Sequence, residues 1–136
     1  MPQGSRYVRN GEMQTRSEQI NVKMDQDKPL QVMVDLCIVP LGVGVSLSPY
    51  IAECEKLIRE AGLSHCLHAY GTNIEGDWDT VFETVKRCHE AVHAMGAPRI
   101  TTTLKVGTRI DRPQSLHDKV ASVEEKLNGA KCAGTQ

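Results

Sequence analysis

From Gln31 to Val39 the chain alternates with period two: Val32, Val34, Leu36 and Ile38 fall on one side, and Met33, Asp35, Cys37 and Val39 on the other. This predicts a β-strand with one fully apolar face. A glycine-containing turn follows, and Ser46-Leu47-Ser48-Pro49 predicts a helix start, with Ser48 as cap and Pro49 at the first helical position. Ile51, Cys54, Leu57, Ile58 and Ala61 recur at three- and four-residue spacing up to Gly62, as expected of a helix packed along one stripe. Alternation returns over His65–Tyr70 and again over Thr72–Glu75, which predicts two short strands joined closely at Gly71. Asp77 then opens a second helix whose stripe is Trp78, Val81, Phe82, Val85, Cys88, Val92 and Met95, ending at Gly96. Ile100, Thr102, Leu104 and Val106 oppose Thr101, Thr103, Lys105 and Gly107 in a fourth strand. Ser115 can cap a last helix carrying Leu116, Val120, Val123 and Leu127.

The order strand, helix, strand, strand, helix, strand, then one further helix matches the split β-α-β ferredoxin-like motif. The expected fold class is therefore α+β: a ferredoxin-like βαββαβ sandwich, with a four-stranded antiparallel sheet, two helices on one face and a C-terminal helix. The expected organisation is a disordered N-terminal tail over 1–29, the domain over 30–128 and a polar C-terminal tail over 129–136. The N-terminal stretch is rich in Gln, Arg, Asn, Asp and Gly and shows neither period, so it buries too little apolar surface to offset its ordering entropy. Two helices leave one sheet face bare. That face carries Met33, Cys37 and Val39 beside Thr101 and Thr103, so self-association is expected to cover it.

Composition narrows the choice of partners. With 136 residues the chain holds one ordinary domain. Sixteen Lys+Arg against 17 Asp+Glu give a formal net charge of -1, which offers no electrostatic footprint for nucleic acid or an anionic membrane. No apolar run approaches the roughly 20 residues of a membrane-spanning helix. The first thirty residues resemble neither a secretory signal nor a mitochondrial presequence, and a cytoplasmic location is expected. The five cysteines form no Cys-x-x-Cys pair and are expected as reduced thiols, mostly buried.

Several clusters carry candidate chemistry. His89-Glu90-Ala91-Val92-His93 has the letter pattern of a zinc peptidase helix. At about 100° per residue Glu90 turns away from the side on which the histidines would meet a metal, and no third ligand follows at a recognised spacing. Flanking histidines are the expected reading, with a metal hydrolase built on His89 and His93 as an alternative. The turn Leu41-Gly42-Val43-Gly44-Val45-Ser46 lacks the ending of a phosphate loop; it either brings Ser46 and Ser48 to a ligand or serves only to turn the chain. In Tyr70-Gly71-Thr72-Asn73-Ile74-Glu75-Gly76-Asp77 a hydroxyl, an amide and a carboxylate gather, which suits a cation or an amine-bearing ring, or else a solvated hairpin. Lys105, Arg109, Asp111 and Arg112 are compatible with an anion site or with protection of a sheet edge.

Four blocks carry a resemblance to a known family: Asp35-Leu36-Cys37-Ile38-Val39-Pro40-Leu41-Gly42, Ser48-Pro49-Tyr50-Ile51-Ala52, Gly71-Thr72-Asn73-Ile74-Glu75-Gly76 and Lys119-Val120-Ala121-Ser122-Val123-Glu124. In this order, from about Leu30 to Leu127, the chain resembles the small thiamine-binding proteins of the YkoF-like ferredoxin superfamily. The resemblance implies assembly into dimers and tetramers through the sheets, and binding of thiamine (vitamin B1) or its pyrimidine moiety without catalysis or a further cofactor. The motif blocks and the convergent polar groups together point to a ligand site drawn from Ser46, Ser48, Thr72, Asn73 and Glu75. The chain departs from the family pattern at Val43-Gly44-Val45, where a small residue and a hydroxyl are expected, and at Asn73, where an apolar residue is usual. The expected protein is thus a non-enzymatic, oligomeric, cytoplasmic binder of a small molecule, with an oligomeric interaction scaffold lacking any small ligand as the alternative.

Overall fold

In the computed structural model residues 27–132 are described, the last few by backbone alone, so the expectations for most of the N-terminal tail and for the chain end lie outside the described residues. Among the described residues β1 (Gln31–Leu41), α1 (Ser48–Glu60), β2 (Ser64–His68), β3 (Gly71–Asp77), α2 (Trp78–Ala94), β4 (Arg99–Thr108) and α3 (Leu116–Cys132) follow in that order. The four strands form one antiparallel sheet in the order β2-β3-β1-β4, the arrangement of a ferredoxin-like sandwich. β1 is the hub, pairing with β3 from Gln31↔Asp77 to Leu36↔Thr72 and with β4 from Val32↔Thr108 to Leu41↔Arg99.

Strand parity sorts the side chains. Val32, Val34, Leu36 and Ile38 of β1, with Ile74 of β3, are buried beneath α1 and α2. From the helices come Cys54, Leu57 and Ile58 of α1 and Val81, Cys88 and Val92 of α2, the last three fully buried. Each fully buried Val or Ile of this kind contributes about 1.5–3 kcal/mol, so this seam is what joins helices to sheet. The opposite face, with Met33, Asp35, Cys37 and Val39 of β1 half-buried and Thr101, Thr103 and Lys105 of β4 exposed, has neither α1 nor α2 over it.

Helix ends follow local chemistry with two differences. The Asp77 carboxylate caps α2 by accepting from Thr80 N at 3.0 Å, and those bonds hold its carboxyl below the usual carboxylate range. Ser115 and Asp118 cap α3 reciprocally, Asp118 N donating to Ser115 Oγ at 3.1 Å and Ser115 N to Asp118 Oδ2 at 2.8 Å. Ser48, by contrast, is already the first residue of α1; Leu47 occupies the cap position without a side-chain bond, and Pro49 satisfies the start through its fixed φ. α3 also runs through Gly129 to Cys132, because an isolated glycine costs a helix only about 1 kcal/mol.

Gly71 is the tightest backbone approach: a Cβ there would stand 2.5 Å from the Leu36 carbonyl oxygen, across the β1–β3 pairing. Gly71→Ala should therefore destabilise the fold by about 2 kcal/mol through overpacking. Gly129→Ala, where an added methyl meets nothing within 4 Å, should leave stability unchanged or raise it by up to about 1 kcal/mol. Urea unfolding of the two variants checks both; equal midpoints would remove the steric role of Gly71.

Candidate functional site

The bare face becomes concave at the end of the sheet where β1 begins. Met33 and Gln31 of β1, Glu75 of β3 and Gly107 of β4 form the floor of a cleft of about 880 Å³, walled by residues 109–115 and by Lys119 of α3. The pairings Met33↔Glu75 and Met33↔Gly107 place these three residues side by side on one face. Gly107 keeps the floor low, since a Cβ there would meet only the Met33 carbonyl oxygen at 4.0 Å.

Glu75 joins the floor to the wall. Its Oε2 accepts from Leu116 N at 2.8 Å, binding the first turn of α3, whose free amides and positive dipole end favour a carboxylate. Among the described residues Oε1 receives no hydrogen bond. The wall is braced by Arg109, whose Nε and Nη2 reach both carboxylate oxygens of Asp111 at 2.5 and 2.8 Å, while Nη1 reaches Gln114 Oε1 at 2.8 Å. The guanidinium beside it pulls the Asp111 carboxyl down to about 2, and the carboxylate raises Arg109 in turn.

The residues expected to form one ligand site are divided by the fold. Glu75 lies in the cleft. Asn73 shares its face two residues along β3, beside Asp35 of β1 and Cys66 of β2. Thr72 points to the helix side, 4% exposed, and donates its hydroxyl to Glu55 Oε1 of α1. Ser46 and Ser48 are exposed beyond the far end of β1. At about 3.3 Å per residue the eight steps from Met33 to Leu41 span about 26 Å, too far for one small molecule to reach from Glu75. Gly42 and Gly44 in the intervening turn have φ of 80° and 90°, so the turn itself requires them.

Other titratable groups are tied into the structure. His89 Nε2 lies 2.6 Å from Thr102 Oγ1 and His93 Nδ1 donates to the Ala97 carbonyl at 2.7 Å, and no group of three metal-ligating side chains occurs among the described residues. His68 Nδ1 accepts from Tyr70 N at 3.3 Å, which leaves Nε2 as the donor to Asp35 Oδ1 at 2.7 Å. Cys54 and Cys88 are buried where α1 meets α2, and the Cys54 thiol is pushed up by its hydrogen bond with Cys88 and by burial. Cys66, contrary to the expectation for most of the thiols, is exposed because it faces outward from edge strand β2. No helix among the described residues is long and apolar enough to cross a membrane.

Fold and cleft together define an α+β ferredoxin-like protein with a ligand-sized recess on the bare side of its sheet. The profile of the family described as thiamine-binding protein matches residues 34–124, and the chain belongs to that family. A UPF0045 protein of Synechocystis is 63% identical over 103 residues, covering 76% of this chain and 85% of the relative. One from Eremothecium gossypii is 45% identical over 100 residues, covering 73% and 95%. Among solved structures, a hypothetical protein of Methanocaldococcus jannaschii superposes with a TM-score of 0.65 at 28% identity, covering 70% of this chain and 97% of that one. A Thermotoga maritima protein named as a candidate for thiamine biosynthesis or salvage superposes with a TM-score of 0.61 over 68% of this chain and 98% of its own. At 19% identity it shares the fold.

Parity and chain order carried a signal for part of this geometry: Thr72 alternates with Asn73 and Glu75 and so belongs to the other face. Met33 and Gly107 have no local motif, and the family block that begins at Lys119 says nothing of the cleft, since only the pairing of β1 with both neighbours and the docking of α3 bring the three together.

The Arg109–Asp111 brace makes the wall pH-sensitive. A carboxyl whose folded pKa is lowered contributes stability above its ordinary value and loses it as pH falls, here from 3.8 through about 2. Carboxyl NMR titration should place Asp111 near 2, and Arg109→Ala should return it toward 3.8; an Asp111 already at 3.8 in the wild type would show that the brace does not form in solution.

Proposed function

We propose that the protein binds thiamine or its pyrimidine moiety in the cleft above Met33, Glu75 and Gly107, without turning it over. The observation that carries the reading is Glu75: fixed by Leu116 N through Oε2, it lines an open recess with no protein donor on Oε1 among the described residues. An aminopyrimidine donates hydrogen bonds and a thiazolium is cationic, and a positioned carboxylate serves both. Family membership supplies the ligand class. The role is binding in the cytoplasm, with no cofactor beyond the ligand. Asn73, on the same face, is a second polar contact; Thr72, Ser46 and Ser48 act elsewhere.

Titration calorimetry with thiamine and with the free pyrimidine should show saturable binding, weakened about tenfold or more in Glu75→Gln because a charge-assisted hydrogen bond is lost. Unchanged affinity in the variant removes the carboxylate role. Silence from both ligands favours an interaction scaffold instead.

Self-association as a dimer or tetramer belongs to the same reading. Met33, Cys37 and Val39 line the face that α1 and α2 leave open, and α3 holds Val120, Val123 and Leu127 at 58, 57 and 60% exposure. The spacing of Leu116, Val120, Val123 and Leu127 is that of a seam between helices, which a second copy supplies most simply. Sedimentation should show a multimer that Val39→Glu shifts toward monomer; a monomeric wild type removes this part of the proposal.

A further inference from the structure

The cleft carries more positive charge than an unphosphorylated thiamine requires. Lys28, Arg109, Arg112 and Lys119 line it, against Glu75 and Asp111. Both acids are engaged, Glu75 by the α3 backbone and Asp111 by Arg109. Lys28, Arg112 and Lys119 form no ion pair among the described residues, although Arg112 lies near enough to Asp118 to help lower its carboxyl. A thiazolium cation entering alone would meet this excess of like charge.

Lys119 is placed against its own helix. It stands in the first turn of α3, where the macrodipole disfavours a cation, and His117 stands beside it. An anion docked in the cleft turns that local cost into attraction, since dipole and ammonium then act on it with the same sign. A residue that contradicts the rule of its local structure marks a place where something other than the fold is being served.

We infer that the cleft selects a phosphate ester of thiamine, its phosphate held by Arg112 and Lys119 from the wall while Glu75 on the floor meets the ring portion. Arg112 offers paired planar donors and Lys119 a mobile point charge, a combination suited to phosphate oxygens. The inference rests on the thiamine-class reading of the same cleft and adds the chemical form of the ligand. The ester also suits a recess with a carboxylate on the floor and unpaired cations on the wall, because it carries a ring cation at one part and an anion at another.

Titration of the full chain with thiamine, thiamine monophosphate, thiamine diphosphate and inorganic phosphate tests this, in the wild type and in the double variant Arg112→Gln, Lys119→Gln, with circular dichroism as the control for folding. The monophosphate should bind about tenfold or more tightly than thiamine at low salt, an advantage that shrinks as ionic strength screens the pair. In the double variant the ratio of the two affinities should fall to about one. Equal affinities in the wild type, or an advantage that survives in the double variant, would overturn the inference while leaving thiamine binding intact. Inorganic phosphate binding as tightly as the esters would assign a plain anion site and overturn it too. No binding by thiamine or either ester would overturn the ligand class along with it.

Discussion

The two-sided pairing of β1 is the constraint from which the rest of the structure follows. β1 is held by β3 along one edge and by β4 along the other, so its side chains are committed to two faces with no freedom to slip. A one-residue shift would carry Val32, Val34, Leu36 and Ile38, all nearly inaccessible, into the open, and would turn Asp35 into the core. The helices enforce the register from above: Ile58, Val81 and Val92 fill the space over those four residues. Gly71 enforces it at the side, where β3 approaches Leu36 too closely for any side chain.

Covering one face so completely leaves the polar chemistry to the other. Among the described residues no buried side-chain nitrogen or oxygen lacks a partner, and the helix side achieves this with few polar groups, chiefly Thr72 with Glu55 and Thr84 with the Thr80 carbonyl. Asp35, His68, Asn73, Glu75 and Lys105 all fall on the other parity, where water or a ligand can meet them. The Asp35–His68 contact stitches edge strand β2 to β1 across β3 without occupying the cleft. The recess lies on this face where strand ends, a low glycine and an arriving helix leave a hollow.

The elements whose periodicity is local were legible in the amino-acid order. β1 alternates without interruption, and α2 repeats its stripe from Val81 to Val92 between an acidic cap and a glycine. Family blocks supplied the ligand class, which no spacing contains. The grouping of site residues was less legible because proximity in sequence is a poor guide to proximity across a strand: Thr72 and Glu75 are three residues apart and face opposite sides. Ser46 and Ser48 follow β1 closely in the chain but lie past its far end. Lys119 comes to the cleft on α3, which Glu75 receives through a contact between residues 41 positions apart that leaves no periodic trace, and Arg112 comes to it from the segment between β4 and that helix.

Glu75 thus does two things that bear on one another. It fixes the start of α3, and α3 in turn adds Lys119 to the wall that residues 109–115 form. The reciprocal cap of Ser115 and Asp118 satisfies the same helix end independently, so the turn keeps its shape while Glu75 sets only where it sits. A ligand group bonding the remaining oxygen of Glu75 would therefore act on a carboxylate already oriented and desolvated on one side, with little ordering left to be done. On the proposed reading, the same arrangement would couple occupancy to α3. Anything that holds Glu75 and the cations of the wall together favours the docked helix over a detached one, and the exposed stripe of Val120, Val123 and Leu127 is then presented in one orientation. On the proposed reading, ligand binding and presentation of that apolar surface would both act through a single contact between a strand carboxylate and a helix amide.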